Sequence, residues 1–481
     1  MCGCTIGTAV HAGCGSSSSS PAASGDASAS NASSGGATFG GDDASGVPTC
    51  SGSVGWSCAV NSSCSKPATL SGKVFDPAGA NPLYDVVVFI PNLVSQLPSI
   101  DPGTHSCNTC DVSIGDYVVA TTTDATGAFT LSGVPTGKQV PITVQIGKWR
   151  RTTYVDIDND CASNAVADGV LHLPGKQADG DMPQMAVLTG GCDDLGCFLT
   201  GLGIDPSEFT APKGGGRVDL YQGIGGAVLS SGGAGDCTKG SCPLWADKSS
   251  LEYYDMALFS CECGENNQTK PSSGMAALAA WLDEGGKVFA SHYQYTWFKN
   301  NPTTVFNGVA SWLPGAAASP STANEDVDDS FPKGKTFATW LGGVGALKST
   351  PPPTIDLSVV ATSVSTVNTT APQATRRWIY DANNGDDVKY LSFGTPIGGL
   401  QPADAAIEST GGPQYCGKAV FTDLHTSASL LSTVSSTPSG CGSNAGKLSA
   451  QQKALEFLFF DLSACVSNDS VEPSPPPPPT K

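Results

Sequence analysis

The clearest pattern of apolar and polar segments lies in the middle of the chain. Residues 254–260 (YDMALFS) form an apolar run of strand length, and residues 274–284 (GMAALAAWLDE) carry apolar side chains at helical spacing along one face. Gly285 and Gly286 then form a tight turn before a second apolar run at residues 287–291. A strand, a helix, a turn and a strand in this order predict a βαβ unit of a parallel sheet.

Similar segments before and after this unit extend the pattern over residues 183–466, which we predict to be one α/β domain. Residues 184–188 and 418–423 are apolar runs of strand length, and residues 450–462 form an amphipathic helix with Ser449 as its N-cap. In parallel sheets, ligands collect beyond the carboxyl ends of the strands. We therefore expect a functional site at that edge of the sheet.

A different pattern, of short apolar runs separated by turn sequences, covers residues 68–174. Two of the turns are residues 76–79 (DPAG) and 124–127 (DATG). Regular spacing of this kind predicts a β-sandwich. Residues 1–67 contain a signal-like start, a flexible Ser- and Gly-rich tether and a cluster of cysteines, and residues 467–481 are a proline-rich tail.

The composition excludes one broad class of partner. The chain has 481 residues, with 24 basic against 43 acidic side chains and a formal net charge of −19. Its longest basic cluster is Trp149-Arg150-Arg151, so we expect no nucleic-acid partner. The sequence contains no apolar stretch of about 18 residues, so no transmembrane helix is expected.

The chain contains 18 cysteines, many in close pairs such as Cys192/Cys197, which indicates disulfides and an oxidising compartment. Cys107 and Cys110 also have the spacing of a zinc-ligand pair, but no second such pair follows at the distance of a zinc ribbon. We therefore expect disulfides there too, with a connectivity that the sequence leaves open.

The first residues, MCGCTIGTAVHAGC, are similar to the end of a bacterial signal peptide. Cys14 followed by the run Ser16–Ser20 resembles the cleavage site and tether of a lipoprotein. This pattern predicts a secreted protein, or an outer-membrane or cell-surface lipoprotein whose only contact with a membrane is a lipid on Cys14. The alternative is a disordered terminus with incidental cysteines.

Two segments of the predicted sandwich, residues 71–92 and 121–149, resemble the carboxypeptidase regulatory-like domain, which is a transthyretin-like sandwich. The residues that carry this resemblance are Gly72, Val74, Asp76, Thr123, Asp124, Gly127, Phe129, Leu131, Val134, Pro135 and Gly137. Such domains are accessory modules of secreted or surface proteins. The resemblance therefore implies a β-sandwich and no catalysis.

The α/β region resembles the class I glutamine amidotransferase-like fold, and within it the trehalose-utilisation (ThuA-like) group. The resemblance lies in residues 254–260 (YDMALFS), 274–292 (GMAALAAWLDEGGKVFASH) and 417–425 (GKAVFTDLH). It implies a flavodoxin-like parallel sheet. The two-domain arrangement also resembles uncharacterised secreted proteins of Gram-negative soil bacteria, and that resemblance implies no particular reaction.

Two histidines come directly after apolar strands and are candidates for chemistry. His292 follows residues 287–291, and His425 lies two residues after Asp423, on the same side of the strand by its alternation. Together with Asp423, or with Glu262 from the loop after residues 254–260, the two imidazoles would make a metal site or an acid–base pair. The alternative is that each histidine bonds to a loop backbone and only ends its strand. The sequence specifies no cofactor and leaves a metal open.

Cys261 occupies the loop in which the amidotransferases carry their nucleophile. A nucleophile there needs a glycine-flanked, strained turn, whereas the local sequence is Ser-Cys-Glu-Cys-Gly. Cys263 is also close enough to be involved in a disulfide. We therefore expect no thiol nucleophile, and Glu262 is the better candidate for a functional group, although a solvated loop carboxylate is its alternative.

Two further sets of residues are candidates for ligand binding. Gly190 and Gly191 lie in a turn at the start of a helix, where backbone N–H groups hold anions in other proteins. Tyr293, Tyr295 and Trp297 alternate after His292, and aromatic rings at the mouth of a cleft stack on sugars. Packing in the core is the alternative for these rings.

Together these features predict a multidomain, exported cell-envelope protein. It comprises a β-sandwich and an α/β flavodoxin-like domain. We expect the α/β domain to be a degenerate amidotransferase-like module that binds a small molecule, with carbohydrate as one hypothesis. The alternative is a hydrolase of unknown substrate that uses His292, His425 and Glu262, with or without a metal.

Overall fold

The computed structural model describes residues 46–103, 114–315, 319–320, 324–370, 373–399, 415–426, 434–464, 466 and 469–470. Cys14, Cys107 and Cys110 lie outside the described residues, as do nearly all of the predicted tether and most of the predicted tail.

Seven strands between residues 69 and 165 form two sheets. Their bounds are β1 Thr69–Lys73, β2 Val87–Pro91, β3 Tyr117–Thr122, β4 Ala128–Ser132, β5 Gly137–Ile146, β6 Trp149–Ile157 and β7 Ser163–Ala165. One sheet has the order β4-β1-β7 and the other the order β3-β2-β5-β6. Apolar side chains of both sheets, such as Leu131 and Val144, belong to one hydrophobic core. The two sheets therefore bury apolar surface in a shared interior.

A much larger sheet of 14 strands follows. Its strands are β8 Met185–Thr189, β9 Phe209–Thr210, β10 Val218–Gln222, β11 Gly235–Asp236, β12 Met256–Phe259, β13 Lys287–Ser291, β14 Ala310–Trp312, β15 Asn324–Val327, β16 Leu347–Ser349, β17 Thr354–Asp356, β18 Val364–Val367, β19 Arg376–Asp381, β20 Asp387–Thr395 and β21 Gly417–Thr422. The main path is β9-β10-β8-β12-β13-β21-β20-β19-β15-β17-β16, with β11 beside β10, and β18 beside β14 and β20.

The centre of this sheet consists of parallel strands in the order β10-β8-β12-β13-β21. Among these five strands, β8 comes first along the chain, and β10, β12, β13 and β21 follow it. The order across the sheet is therefore second, first, third, fourth, fifth. The residues of β8, β12 and β21 are all buried, as expected for strands covered on both faces. From β20 onwards the sheet continues with antiparallel strands.

Short elements complete the described structure. Pairs of two-residue strands join Thr49–Cys50 with Ser53–Val54, Val228–Leu229 with Ser436–Thr437, and Ser319–Pro320 with Val359–Val360. The α-helices are α1 Leu195–Gly201, α2 Lys248–Leu251, α3 Ser272–Asp283, α4 Thr296–Lys299, α5 Thr304–Asn307, α6 Pro332–Gly343 and α7 Ala450–Ser463. Within the described ranges, no helix has both the length and the apolar character that a membrane span requires.

Helix α7 begins at the predicted cap. Ser449 accepts a hydrogen bond from Gln452 N–H at 3.2 Å, and the Gln452 side chain accepts one from Ser449 N–H at 3.0 Å. This reciprocal capping box satisfies two of the N–H groups that a helix start leaves without partners. The predicted helix near residue 274 and the strand at 287–291 are also present, as α3 and β13.

Three of the disulfides between described residues join distant parts of the chain, and two close short loops. The pairs are Cys50–Cys58, Cys64–Cys161, Cys192–Cys263, Cys197–Cys441 and Cys237–Cys242. Several such bonds indicate an oxidising environment. Cys192 and Cys197 are close in sequence but do not bond to each other, because each bonds to a partner more than 70 residues away.

Helix α7 packs the seven-stranded region against the large sheet. Trp149 at the start of β6 contacts Phe460 edge-on with ring centroids 6.0 Å apart, and Tyr84 stacks on Phe457 at 5.8 Å. Phe457 and Phe460 both lie on α7. Residues 43–481 accordingly form one compact unit.

A pair of buried carboxyl groups lies at this contact. Asp76 follows β1, Glu456 lies on α7, and both are fully buried. Ala80 N–H donates to Asp76 Oδ1 at 2.7 Å, and Asn81 donates to Glu456 Oε2 at 2.8 Å. Burial raises the pKa of Asp76 to about 6 and raises the pKa of Glu456 well above its usual value. The folded protein therefore binds a proton here more tightly than the unfolded chain does.

Replacing Asp76 by asparagine is expected to change how stability depends on pH. With a raised pKa, the wild-type pair contributes stability that is complete below about pH 4 and is lost as the pH rises through about 6. Asparagine keeps an acceptor for Ala80 and presents a neutral donor to Glu456. The free energy of unfolding of D76N relative to wild type should therefore rise by on the order of 2 kcal/mol between about pH 4 and about pH 7.

Urea unfolding with the disulfides intact measures this difference at each pH. E456Q should shift in the same direction, since it removes the other member of the pair. A difference between variant and wild type that stays constant over this pH range would contradict the raised pKa values of this buried pair.

Candidate functional site

Three side chains meet where three neighbouring parallel strands end. Cys261 follows β12, His292 follows β13 and His425 follows β21. The strands are in register, with Phe259 beside Ala290 and Ala290 beside Phe421. Because adjacent strands lie about 4.8 Å apart, residues a few positions beyond these partners are brought to one place. The structure therefore brings the two predicted histidines together and adds a cysteine.

The three side chains are within contact distance of one another. Cys261 Sγ lies 3.4 Å from His292 Nδ1, and His425 Nε2 lies 3.2 Å from the same nitrogen. All three potential ligand atoms fall within 4.8 Å of each other. Cys261 is fully buried, and each histidine is only 1% exposed. This group is called the Cys–His–His cluster below.

The orientation of His425 follows from its second ring nitrogen. His425 Nδ1 lies 2.8 Å from the backbone carbonyl of Cys192. A carbonyl oxygen only accepts hydrogen bonds, so Nδ1 carries the proton and the neutral ring has its lone pair on Nε2. That lone pair is directed at the cluster. Gln451 on α7 also donates to the backbone carbonyl of His425, which fixes the loop.

The loop after β8 closes the cluster on one side. The Cys192–Cys263 disulfide joins this loop to the one after β12, and Cys192 N–H donates to Cys261 O at 3.0 Å. A Cβ atom on Gly190 would lie 2.2 Å from Cys261 O, so only glycine allows this approach. The two loops are therefore held in one arrangement by a covalent bond and by close backbone packing.

A buried carboxylate ties the same loop to the two histidine strands. Asp193 is fully buried and accepts hydrogen bonds from Ser291 Oγ at 2.6 Å and from Thr426 N–H at 2.8 Å. The Thr426 hydroxyl also bonds to Asp193. Since Ser291 precedes His292 and Thr426 follows His425, these bonds fix the backbone on which both rings are carried.

His292 has an unusual backbone conformation. Its φ of 44° is left-handed, which is uncommon for a residue other than glycine, and it begins a short 3-10 helix at residues 292–295. Its ring packs on that of Tyr293 with centroids 4.0 Å apart. Such conformations persist where the surrounding structure requires them, and they are concentrated at functional sites.

Cys261 has the surroundings of a buried thiol. Burial raises its pKa to about 12, so the sulfur is a thiol over the ordinary pH range. Positive φ values in this loop fall on Cys263 and Asn266 and not on Cys261. The strained turn that exposes a catalytic nucleophile is therefore not formed around this residue.

Glu262 lies outside the Cys–His–His cluster. Its carboxylate forms an ion pair with Lys270 at 2.8 Å, in which both side chains are at most 1% exposed. Ile224 N–H donates to the other oxygen at 2.9 Å. The predicted functional carboxylate thus joins the loop after β12 to Lys270 and to the loop after β10, and it does not reach the histidines. The group is buried, so the sequence-based alternative of a solvated carboxylate is wrong.

The carboxylate of Asp423 is held by Ser363, and it also interacts electrostatically with His425. It accepts hydrogen bonds from Ser363 N–H at 2.6 Å and from Ser363 Oγ at 2.7 Å. Burial raises its pKa to about 6. The alternation that placed Asp423 beside His425 does not apply, because β21 ends at Thr422.

The predicted ligand-binding residues are also placed differently. Tyr295 and Trp297 are fully buried, and Trp297 packs against Trp245 at 4.8 Å, so neither ring presents a face to a sugar. Tyr293 is half-buried beside His292. Helix α1 after Gly190 and Gly191 is only seven residues long, and its first turn is capped by the carboxylate of Asp194, which accepts from Cys197 N–H. These glycines serve the close packing of loops.

The sequence did not predict Cys261 as a member of the site. The partner of the neighbouring Cys263 could not be identified from the sequence, so Cys261 could not be recognised as a free thiol. Cys192 and Cys263 follow the neighbouring strands β8 and β12, so the order of strands contains the information. That order is a tertiary property, which the spacing of cysteines along the chain does not reveal.

Comparisons with known proteins add little to this description. No protein-family model matches the chain, and no curated protein matches it significantly. One similar solved structure is a cytoplasmic protein from Salmonella typhimurium LT2, with 9% identity, a TM-score of 0.31, and coverage of 58% of this chain and 99% of that one. A second is a protein described as ThuA-like from Bacteroides uniformis, with 10% identity, a TM-score of 0.27, and coverage of 57% and 89%. A third is another cytoplasmic protein from Salmonella typhimurium, with 10% identity, a TM-score of 0.30, and coverage of 57% and 98%.

The ion pair of Glu262 and Lys270 is expected to be essential for stability. K270M leaves a buried carboxylate without its cation and should lower the free energy of unfolding by about 3–5 kcal/mol. The double variant E262M/K270M removes both charges and should recover most of that loss. Denaturant unfolding measures all three proteins.

The matched control is K248M. Lys248 also pairs with carboxylates, those of Glu252 and Glu284, but these side chains are partly exposed. Its replacement should change stability by less than about 1 kcal/mol. Equal losses in K270M and K248M would show that Glu262 is not held in a closed environment.

Proposed function

We propose that the α/β region binds a transition metal ion, Zn²⁺ or Cu⁺, through Cys261 Sγ, His292 Nδ1 and His425 Nε2. The observation that carries this proposal is the mutual distance of the three ligand atoms. For a tetrahedral ion with a metal–sulfur distance of about 2.3 Å and metal–nitrogen distances of about 2.0 Å, the S···N and N···N separations are about 3.5 and about 3.3 Å. Two of the three separations in the cluster match these values, at 3.4 Å from Cys261 Sγ to His292 Nδ1 and 3.2 Å from His292 Nδ1 to His425 Nε2. The third, from Cys261 Sγ to His425 Nε2, is at most 4.8 Å.

The donor atoms select the class of metal. A cysteine sulfur and two imidazole nitrogens suit zinc and copper, whereas magnesium and calcium prefer oxygen ligands. On binding, the metal would take the place of the thiol proton, since the thiolate is the form that ligates. The bond from His425 Nδ1 to Cys192 O is the kind of outer contact that orients a metal-bound imidazole.

The same geometry favours binding over hydrolysis. The thiol is fully buried, it lacks the strained turn of a nucleophile, and Glu262 is already paired with Lys270. With each ligand side chain at most 1% exposed, the cluster offers no surface for a large substrate. A degenerate amidotransferase-like module that has kept the site at the sheet edge, but binds an ion there, fits these facts.

We further propose the setting of this module. The strand order second-first-third-fourth-fifth is that of flavodoxin-like sheets, which supports a flavodoxin-like domain over residues 183–466. In this proposal the two sheets of residues 69–165 are the carboxypeptidase regulatory-like sandwich and serve as an accessory domain. The disulfides support export to the cell envelope, as a secreted protein or as a lipoprotein anchored through Cys14.

Metal content tests the proposal. Protein produced in an oxidising compartment and equilibrated with Zn²⁺, or with Cu⁺ under anaerobic conditions, should bind one equivalent by elemental analysis. C261A, H292Q and H425Q should each lower the affinity by at least about tenfold, because three donors share the ion. At a metal concentration about 1,000 times the Kd, the folded state gains about 4 kcal/mol.

H172Q is the matched control. His172 lies outside the cluster, hydrogen-bonded to Arg151, so its replacement should leave metal binding unchanged. Failure to bind either metal, or retention of binding in all three cluster variants, would contradict the proposal. Circular dichroism of each variant shows whether it is folded.

A further inference from the structure

A groove of about 390 Å³ lies on the antiparallel part of the large sheet, away from the Cys–His–His cluster. It is lined by residues from four segments: 328–331, 366–369, 375–377 and 385–388. Its volume is at the lower end of the range for small-molecule sites, about 300–1,000 Å³. A single sugar-sized molecule would fit it.

The two arginines of the groove have different partners. Arg377 is held by Asp328 at 3.0 Å and Asp386 at 3.5 Å, and it stacks on Tyr380 at 3.5 Å. Arg376 meets a hydroxyl and a ring in the described part of the chain, namely Ser470 Oγ and the ring of Phe331. Its positive charge is therefore not balanced by a described carboxylate.

Several polar groups line the groove together with Arg376. The hydroxyl of Thr375 is buried, and it has no hydrogen-bond partner among the described residues. Thr366 and Thr369 also line the groove and are exposed. Asp386, which pairs loosely with Arg377, is more than half exposed and is able to accept further hydrogen bonds. The groove thus combines one available cation with several hydroxyl-binding groups.

We propose that this groove binds a small hydroxylated carboxylate of sugar-acid size. Its carboxylate lies on the guanidinium of Arg376, whose planar fork of N–H groups matches a carboxylate in two parallel hydrogen bonds. Its hydroxyl groups bond to Thr366, Thr369 and Asp386, and its apolar ring face lies against Val367.

The overall charge of the protein makes the binding of an anion depend on Arg376. With a net charge of −19, the surface repels anions in general. Binding of an anion therefore depends on the local charge of Arg376. A bare carboxylate would leave the hydroxyl-binding groups of the groove unused, and a neutral sugar would leave Arg376 unused.

Calorimetric titration with D-glucuronate tests the proposal, with D-glucose and acetate as comparators. Glucuronate should bind at least tenfold more tightly than either comparator. R376Q should lower the affinity for glucuronate at least tenfold, and R376K should be intermediate because it keeps the charge but loses the fork. T366V and T369V, at exposed positions, should each weaken binding several-fold without affecting folding.

R151Q is the matched control, since it makes the same substitution in β6 of the seven-stranded region and should leave binding unchanged. Equal affinity for glucose and glucuronate, an unchanged affinity in R376Q, or no binding of glucuronate by folded wild type would each overturn the proposal. The groove contains none of the three proposed metal ligands, so this outcome is independent of the metal experiment.

Discussion

Parallel pairing of β12, β13 and β21 determines where every side chain of the Cys–His–His cluster lies. The three strands are neighbours in register, and each is followed within a few residues by one member of the cluster. No single segment of the chain contains more than one of the three ligands, which are spread from Cys261 to His425. The cluster therefore exists only in the folded sheet, and the packing of the apolar strands is what holds its ligand atoms within 4.8 Å of one another.

The surroundings of the cluster are closed by bonds that resist rearrangement. The Cys192–Cys263 disulfide and the buried carboxylate of Asp193 fix the loop after β8, and the ion pair of Glu262 with Lys270 fixes the loop after β12. Buried charges are expensive unless they are paired and hydrogen-bonded. Their placement around one cluster means that stability and site geometry depend on the same contacts, so the proposed ion would enter a preformed set of donors.

The sequence predicted local elements better than it predicted contacts between them. The helix near residue 274, the strand at 287–291 and the cap at Ser449 follow from periodicity and capping chemistry, which are local. Strand-end histidines could be recognised because both follow apolar runs. The partners of Glu262 and Asp423, which are Lys270 and Ser363, depend on how loops fold back, and no spacing rule contains that information. The same holds for the aromatic residues after His292, which supply core packing.

X-ray absorption at the metal edge tests the central claim most directly. The spectrum of the metal-loaded protein should show one sulfur at about 2.3 Å and two imidazole nitrogens at about 2.0 Å, and the sulfur contribution should vanish in C261A. A coordination shell of oxygen and nitrogen only, or a spectrum unchanged by C261A, would contradict the account, because it would place the metal at a different site on the protein.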